Sequence, residues 1–535
     1  MLIPKDDDER EILFNDVIMK CMVSRNERSG EYERMRNYYM MGTEDGKECP
    51  FNKINPHIDL LTAFLFASET TKFSISIGAA VPEEEHKKVG ALSEAVMDEW
   101  LRGGVDKTFS EAVTWSSVYN SCFVKLIWEH GINPYIVEPQ MIGVLREDLP
   151  YTDRQEALAH KYYITRSELN RKLAPHQNRE LIMQRLSAVR REMEQEPSGV
   201  QRLVMSASSP NMIGVIEGMP QGTGYRPRVG EELIEMTELW VWDDEESDYL
   251  TVTMADPGIV IYDRKNVFLS GELPYVQVCP NPLYNYYWGA SEVNKLTKLQ
   301  DWRSRRMGQI SDLLGRQLRP PRSLNGTFGI LDENNFALDR EGGILSFSDP
   351  MAKIEEFKPS MPQDVFSEIH EIDNMFNEAS GLTSIMQGGG ERGVRTSRQT
   401  SELARFGSAR ARKRALVIED ALEKIGTLCL KMIQKYDPRK LLDDGGQPFI
   451  AKQFTSDYVL KVDAHSSSPI FVEDQRDLAF SLFEVQAIDK ETLIEMCSPP
   501  SVHLLKQRLK RMEEKEAQQQ QAQVAAEAKS GEKGE

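Results

Sequence analysis

The chain has 535 residues, 40% hydrophobic and 28% charged, with a formal net charge of −19. That length exceeds what one hydrophobic core supports and implies two to four structural regions, while the composition excludes an intrinsically disordered chain. An acidic protein does not bind DNA by blanket counterion release, so any grip on nucleic acid must come from local basic elements.

The first eleven residues are polar and acidic and resemble neither a signal nor a transit peptide. Residues 9–45 read as helical. Gly42 to Pro50 reads as a loop, Ile54–Phe66 as an apolar helix too short to span a bilayer, and Phe73–Ile77 as a short alternating strand. Residues 83–130 read as two helices and the strand Cys122–Trp128, with a turn at Asn133–Pro134 and extended chain over Val137–Leu145. The charged stretch 152–195 reads as helical, and 207–230, rich in Gly, Pro and Ser, as a linker. Glu235–Trp242, the acidic turn Asp243–Asp248 and Tyr249–Met254 form a hairpin, followed by the strand Ile259–Tyr262 and the extended run Pro274–Pro282.

A long helix is expected over Ser291–Leu314, stopped by Arg319–Pro320–Pro321, because proline cannot continue the hydrogen-bond ladder. Short strands and turns fill 322–358. In a second helix, 362–379, Val365, Ile369, Ile372, Phe376 and Ala379 share one face, and Gly381 stops it. Residues 381–397 contain Gly388–Gly390 and hold no regular structure. A third long helix runs from Arg398 to Tyr436, ended by Asp437–Pro438. Residues 447–463 are strand-like, and 473–512 helical with a break at Pro499–Pro500. A Gln/Ala/Glu/Lys tail from Glu513 is a helical extension or disordered.

Catalytic signatures are scarce. The eight histidines are scattered, and neither HExxH nor a GxxxxGK[ST] phosphate loop occurs. The six cysteines, Cys21, Cys49, Cys122, Cys279, Cys429 and Cys497, lack zinc or CxxC spacing and read as reduced thiols. The acidic pair Asp243–Asp244 reads as a solvated turn rather than a metal site. No enzyme activity, cofactor or metal is expected. One cluster of charge stands out. Between Glu391 and Arg414, eight cations face two carboxylates, a local balance of +6. Arg392, Arg395 and Arg398, beside the glycines, suit contact with a phosphate backbone without base specificity. From Arg405 onward, phosphate contact and pairing with acidic neighbours are equally open.

The stretch Pro274–Pro321 resembles the hallmark of tailed-bacteriophage portal proteins, the head-to-tail connectors. It has a strand with Pro, an aromatic turn with Gly289 and Ser291, and a helix with Gln300 that ends at prolines. Arg303, Ser304 and Arg305 stand where that family usually has Asn. Tyr32–Met41 with Asn55–Phe66, Ala112–Trp128 with Val137–Glu138–Pro139, Thr165–Leu173, 380–437 and Phe480–Lys510 follow in the family's order, with Ile488–Asp489 opening a short helix.

The resemblance implies an α+β, mostly helical subunit with wing, stem, clip and crown regions, assembling into a ring of normally twelve copies. It assigns 1–290 to the wing, 291–315 to the first stem helix, 316–361 to the clip, 362–380 to the second stem helix and 381–397 to the tunnel loop. The long wing helix and following strands are 398–470, the crown 471–512 and the tail 513–535. The tunnel loop would face DNA through Gln387, Gly388, Gly389, Gly390, Arg392, Arg395 and Arg398. The clip would dock terminase and later the adaptor through Asn325, Phe328, Asp332, Asn335, Phe336 and Arg340. The implied role is the capsid-vertex channel for DNA packaging, retention and ejection, in the virion after assembly in the host cytoplasm. Implied partners are further copies of the chain, double-stranded DNA, the terminase large subunit, the major capsid protein, a scaffolding protein and a head–tail adaptor, with no membrane. A nucleic-acid enzyme with a basic gripping helix is the alternative, and another capsid-associated structural protein a third.

Overall fold

The computed structural model describes residues 1–44, 49, 51–67, 71–78, 81–174, 179–186, 233–255, 259–265, 268–318, 322–325, 353–356, 364–382, 409–443, 445–462, 478–485, 487–497 and 508–509. The helices are α1 (Asp7–Met22), α2 (Arg25–Met41), α3 (Ile54–Leu65), α4 (Glu83–Arg102), α5 (Val105–Tyr119), α6 (Arg166–Lys172), α7 (Glu292–Leu318), α8 (Val365–Ser380), α9 (Ala409–Tyr436) and α10 (Lys490–Cys497). The strands are β1 (Phe73–Ile77), β2 (Cys122–Trp128), β3 (Ile132–Val137), β4 (Ile142–Val144), β5 (Ala157–Thr165), β6 (Leu233–Asp243), β7 (Asp248–Ala255), β8 (Ile259–Lys265), β9 (Tyr275–Val278), β10 (Arg322–Asn325), β11 (Lys353–Glu356), β12 (Lys440–Leu442), β13 (Pro448–Ile450) and β14 (Tyr458–Val462). The fold is mixed, with helix predominating. It divides into two compact units, one of residues 1–29, 60–290 and 408–535, the other of 30–59 and 291–407.

The first unit is built on an antiparallel sheet in the order β4-β5-β6-β7-β8. Period-2 alternation sends Leu239 and Val241 to one face, where Phe14, Val17 and Cys21 of α1 cover them. Ile234 and Met236 go to the other, under Leu169 of α6 and Ile182 and Leu186 of the helical turn 179–186. A second sheet, β3-β2-β9, lies against α5. Trp100, Phe109, Phe73 and Phe66 make an aromatic cluster with ring centroids 4.9–6.2 Å apart, Phe66–Phe109 and Phe73–Trp100 edge-to-face and Trp100–Phe109 tilted. β1 pairs with β14 and β12 with β13.

Two sequence expectations are corrected here. The turn expected at Asn133–Pro134 sits three residues earlier, at His130 and Gly131, which take the positive φ values. Pro134 lies inside β3 opposite Leu126. It is tolerated because β3 is the sheet's edge and needs no donor on its outer side. The stretch 152–195, expected helical, contains the nine-residue strand β5, paired along its length with β6. Among the described residues of that stretch, α6 and 179–186 are α-helical and Thr152–Arg154 makes a single 3-10 turn; α6 is capped at Thr165, whose hydroxyl accepts from the Glu168 amide at 3.1 Å. The hairpin expected over 235–254 is present, with Asp243 opposite Asp248. The expected linker 207–230 and the tail from Glu513 lie outside the described residues.

The candidate functional site: paired helices and their tip

The second unit contains the rod–tip–rod order read from the sequence. α7 has 27 residues, about 40 Å at 1.5 Å per residue, and runs to Leu318, four residues past the expected end. The two strands that follow, β10 and β11, pair antiparallel, Arg322 opposite Glu356 and Asn325 opposite Lys353. α8 then returns, closed at Gly381, whose left-handed φ of 76° lets its amide reach the Asn377 carbonyl at 2.9 Å.

α7 and α8 pack together, and their ion pairs give the direction. Arg303 Nε donates to Asp373 Oδ1 at 3.1 Å, and Arg306 Nε to Glu368 Oε1 at 2.8 Å. Numbering rises on α7 as it falls on α8, so the rods are antiparallel. Composition explains the attraction. α7 carries six cations against three carboxylates, whereas α8 carries four carboxylates and no Lys or Arg. Ile372 and Phe376 are fully buried, in keeping with the predicted apolar face of α8.

Gln300, fully buried, clamps the segment before α3. Its Nε2 donates to the Phe51 carbonyl at 3.2 Å and to Ser304 Oγ at 2.9 Å, and its Oε1 accepts from the Lys53 amide at 3.1 Å. Arg303 Nη1 donates to the same Phe51 carbonyl at 2.9 Å. Lys53 Nζ sits 2.7 Å from Asp373. Burial pushes the Asp373 carboxyl up, but Lys53 and Arg303 together outweigh it and hold it below its ordinary range. His57 lies 3.3 Å from Asn377 Oδ1 and edge-on to Phe376; burial, helped by the Lys53 charge, lowers its pKa. Tyr38 donates to Asp301 at 2.9 Å. The residues that depart from the portal pattern, Arg303 and Ser304, therefore have definite work in this chain.

Of the expected docking residues, Asn325 is the last residue of β10. Phe328, Asp332, Asn335, Phe336 and Arg340 lie outside the described residues, as do Gln387, Gly388, Gly389, Gly390, Arg392, Arg395 and Arg398. At the far end of the basic stretch, Arg414 resolves one open choice. It is 7% exposed and donates to Asn281 Oδ1 at 3.1 Å, so its charge is turned into the protein rather than offered to phosphate.

The first unit holds a cluster that sequence reading missed. Glu238 accepts from Lys125 Nζ at 2.8 Å, Trp240 Nε1 at 2.7 Å and the Tyr275 hydroxyl at 2.8 Å. His160 Nδ1 lies 3.0 Å from the Tyr275 oxygen. Since that hydroxyl's proton goes to the carboxylate, His160 Nδ1 carries the hydrogen. Burial pushes Glu238 up, yet Lys125 above all brings it down to about 2, and burial lowers His160 to about 3. Lys, Glu, His and Tyr together are an acid–base vocabulary, but each is bonded within the cluster and screened from solvent. The arrangement ties β2 and β9 to β5 and β6. The acidic turn is held by protein partners as well: Asp243 accepts from the Glu245 amide at 3.0 Å, Asp244 from the Met1 amine at 2.7 Å, and Asp248 from Gly271 N and Ser270 Oγ at 2.8 and 2.9 Å. Among the described residues no three His, Cys, Asp or Glu are grouped to hold a metal, and no helix is long and apolar enough to cross a membrane.

No protein-family description matches the chain, and no curated protein does. Among solved structures, it is similar to a chain of the virion of a native gene transfer agent particle, at TM-score 0.41 and 9% identity, over 83% of this chain and 89% of that one. It is also similar to a chain of the neck of an empty particle of that kind, at TM-score 0.40 and 11% identity, over 84% and 91%. With TM-scores below one half, neither likeness carries a functional argument, which rests on this chain's own residues.

Proposed function

We propose that the chain is a portal-type subunit, copies of which close into a ring around a passage for duplex DNA. The observation that carries this reading is the antiparallel pair α7–α8 joined through the two-stranded tip β10–β11 and followed, past Gly381, by a glycine- and arginine-rich segment. In this reading α7 and α8 are the stem, 316–361 the clip that docks terminase and then the adaptor, and 381–397 the tunnel loop. The remaining α/β part is the wing and 471–512 the crown, within a virion vertex assembled with capsid and scaffolding proteins.

No bond is made or broken, and the mechanism is geometric and electrostatic. Rods laid side by side in a closed ring leave no unpaired interface. Glu371 and Glu378, exposed on an α8 that has no Lys or Arg, offer phosphate no foothold, so duplex slides past that helix instead of sticking to it. Gly388–Gly390 let each loop follow a duplex whose symmetry differs from the ring's, with Arg392, Arg395 and Arg398 supplying a light grip.

The reading is tested by electron microscopy of the purified full chain, where ring particles with a central hole are expected and monomers at every concentration overturn it. Deleting residues 387–393 is expected to impair DNA retention and packaging in the assembled particle. Normal retention and packaging removes the loop's assigned role.

A further inference from the structure

Residues 273–291 form a run of nineteen without Asp, Glu, Lys, Arg or His, in a chain that is 28% charged. Its centre is a tight turn. Leu283 and Tyr286 bridge antiparallel, and Asn285 takes a left-handed φ of 50°. The turn turns its side chains outward: Leu283 is 45% exposed, Tyr284 92% and Tyr286 37%.

The base beneath it is fixed. Tyr287 and Trp288 are fully buried. The Tyr287 hydroxyl meets Thr152 Oγ1 at 2.9 Å, and its carbonyl accepts from Gln277 at 2.8 Å. Trp288 Nε1 donates to Glu147 at 2.8 Å while the Arg28 guanidinium lies 3.5 Å from its ring centroid. At Gly289, φ 72°, an added Cβ would meet Cys279 Sγ and the Asn281 carbonyl, so only glycine closes the loop. Asn281 holds both ends, accepting from the Ala290 amide at 3.0 Å and from Arg414 at 3.1 Å.

We propose that this turn, with Leu283, Tyr284 and Tyr286 at its tip, is a preformed knob that docks onto a second copy of the chain. This rests on the ring reading above and names one contact within it. Rigid aromatic groups bind well because little ordering remains to be done on contact. The occupant follows from charge. Two copies each at −19 repel, and an uncharged turn lets them meet without setting like charges together. Phosphate is not the occupant, because the turn has no cation and the two nearby arginines face Trp288 and Asn281.

The test uses the full chain. With Leu283→Ser and Tyr284→Ser combined, native mass spectrometry is expected to show half-assembly at a protein concentration about tenfold or more above that of the unsubstituted chain, with the circular dichroism spectrum unchanged. Independently, p-benzoylphenylalanine in place of Tyr284, irradiated in the assembled particle, is expected to give chain–chain cross-links. Rings forming at the unsubstituted concentration, or cross-links absent or made only to DNA, overturn the knob and leave the ring standing. An unsubstituted chain that is monomeric throughout removes the ring and the knob with it.

Discussion

The two units use the same residue types in opposite ways. Lys125, Glu238, His160 and Tyr275 are enclosed between sheets, with side-chain exposures of 10% and 15% for the ion pair. Arg306 and Glu368, 38% and 33% exposed, bridge two rods at their surface. Inside, low dielectric makes each charge depend on its partner. At the surface, water takes over most of what a broken bond gives up. The lesson is that an ion pair's geometry does not reveal its energetic role until its surroundings are known.

That contrast can be broken in order of expected effect. Lys125→Met leaves Glu238 enclosed without its cation and should cost about 3–5 kcal/mol, measured as a lower urea midpoint and faster amide exchange in β5 and β6; an unchanged midpoint would show the pair is wetter than it looks. Gln300→Leu strands the Lys53 amide. It also removes one of the two donors on the Phe51 carbonyl. A loss of about 1–3 kcal/mol is expected, read as faster exchange and proteolysis around residues 49–55. Arg306→Ala with Glu368→Ala, in a double-mutant cycle, should give a coupling of about 0.2–1 kcal/mol that fades in salt. A coupling above 2 kcal/mol would erase the contrast.

Acid sharpens it further. His160 and Glu238 both have folded pKa values below their ordinary ones, so the unfolded chain binds more protons than the folded one. Their contribution is present at neutral pH and lost on acidification, from about 6.5 down toward 3 for His160 and from about 4.5 down toward 2 for Glu238. His160→Gln should therefore flatten the pH dependence of stability between about 6.5 and 4, followed by denaturant melts across that range.

The rods were legible because their signals are local. Apolar spacing placed Ile372 and Phe376 on one face, and Gly381 and the prolines after α7 mark ends that backbone chemistry enforces. β5 was not legible, for a physical reason. It lies inside the sheet, buried on both faces, and so loses the alternation that identifies a strand. Its Ala and Leu favour helix when read alone, and only pairing with β6, some seventy residues later, decides otherwise. Pro134 misled for a related reason, since an edge position is not visible in one strand's sequence. The clamp Gln300 was singled out by resemblance, but what it holds was not, because Phe51 and Lys53 lie far back in the chain. Arg303's partner, Asp373, is equally remote.

The arginine–carboxylate rungs between α7 and α8 have a mechanical consequence. Arg303 and Arg306 are three residues apart, about 4.5 Å along α7, and Glu368 and Asp373 five, about 7.5 Å along α8, so sliding one rod by a turn strips both rungs together. Two rods locked in register behave as a single strut. A push or twist delivered at the strands of the tip is then not absorbed as slippage along the pair, but travels its length and arrives at Gly381, the first joint in its path.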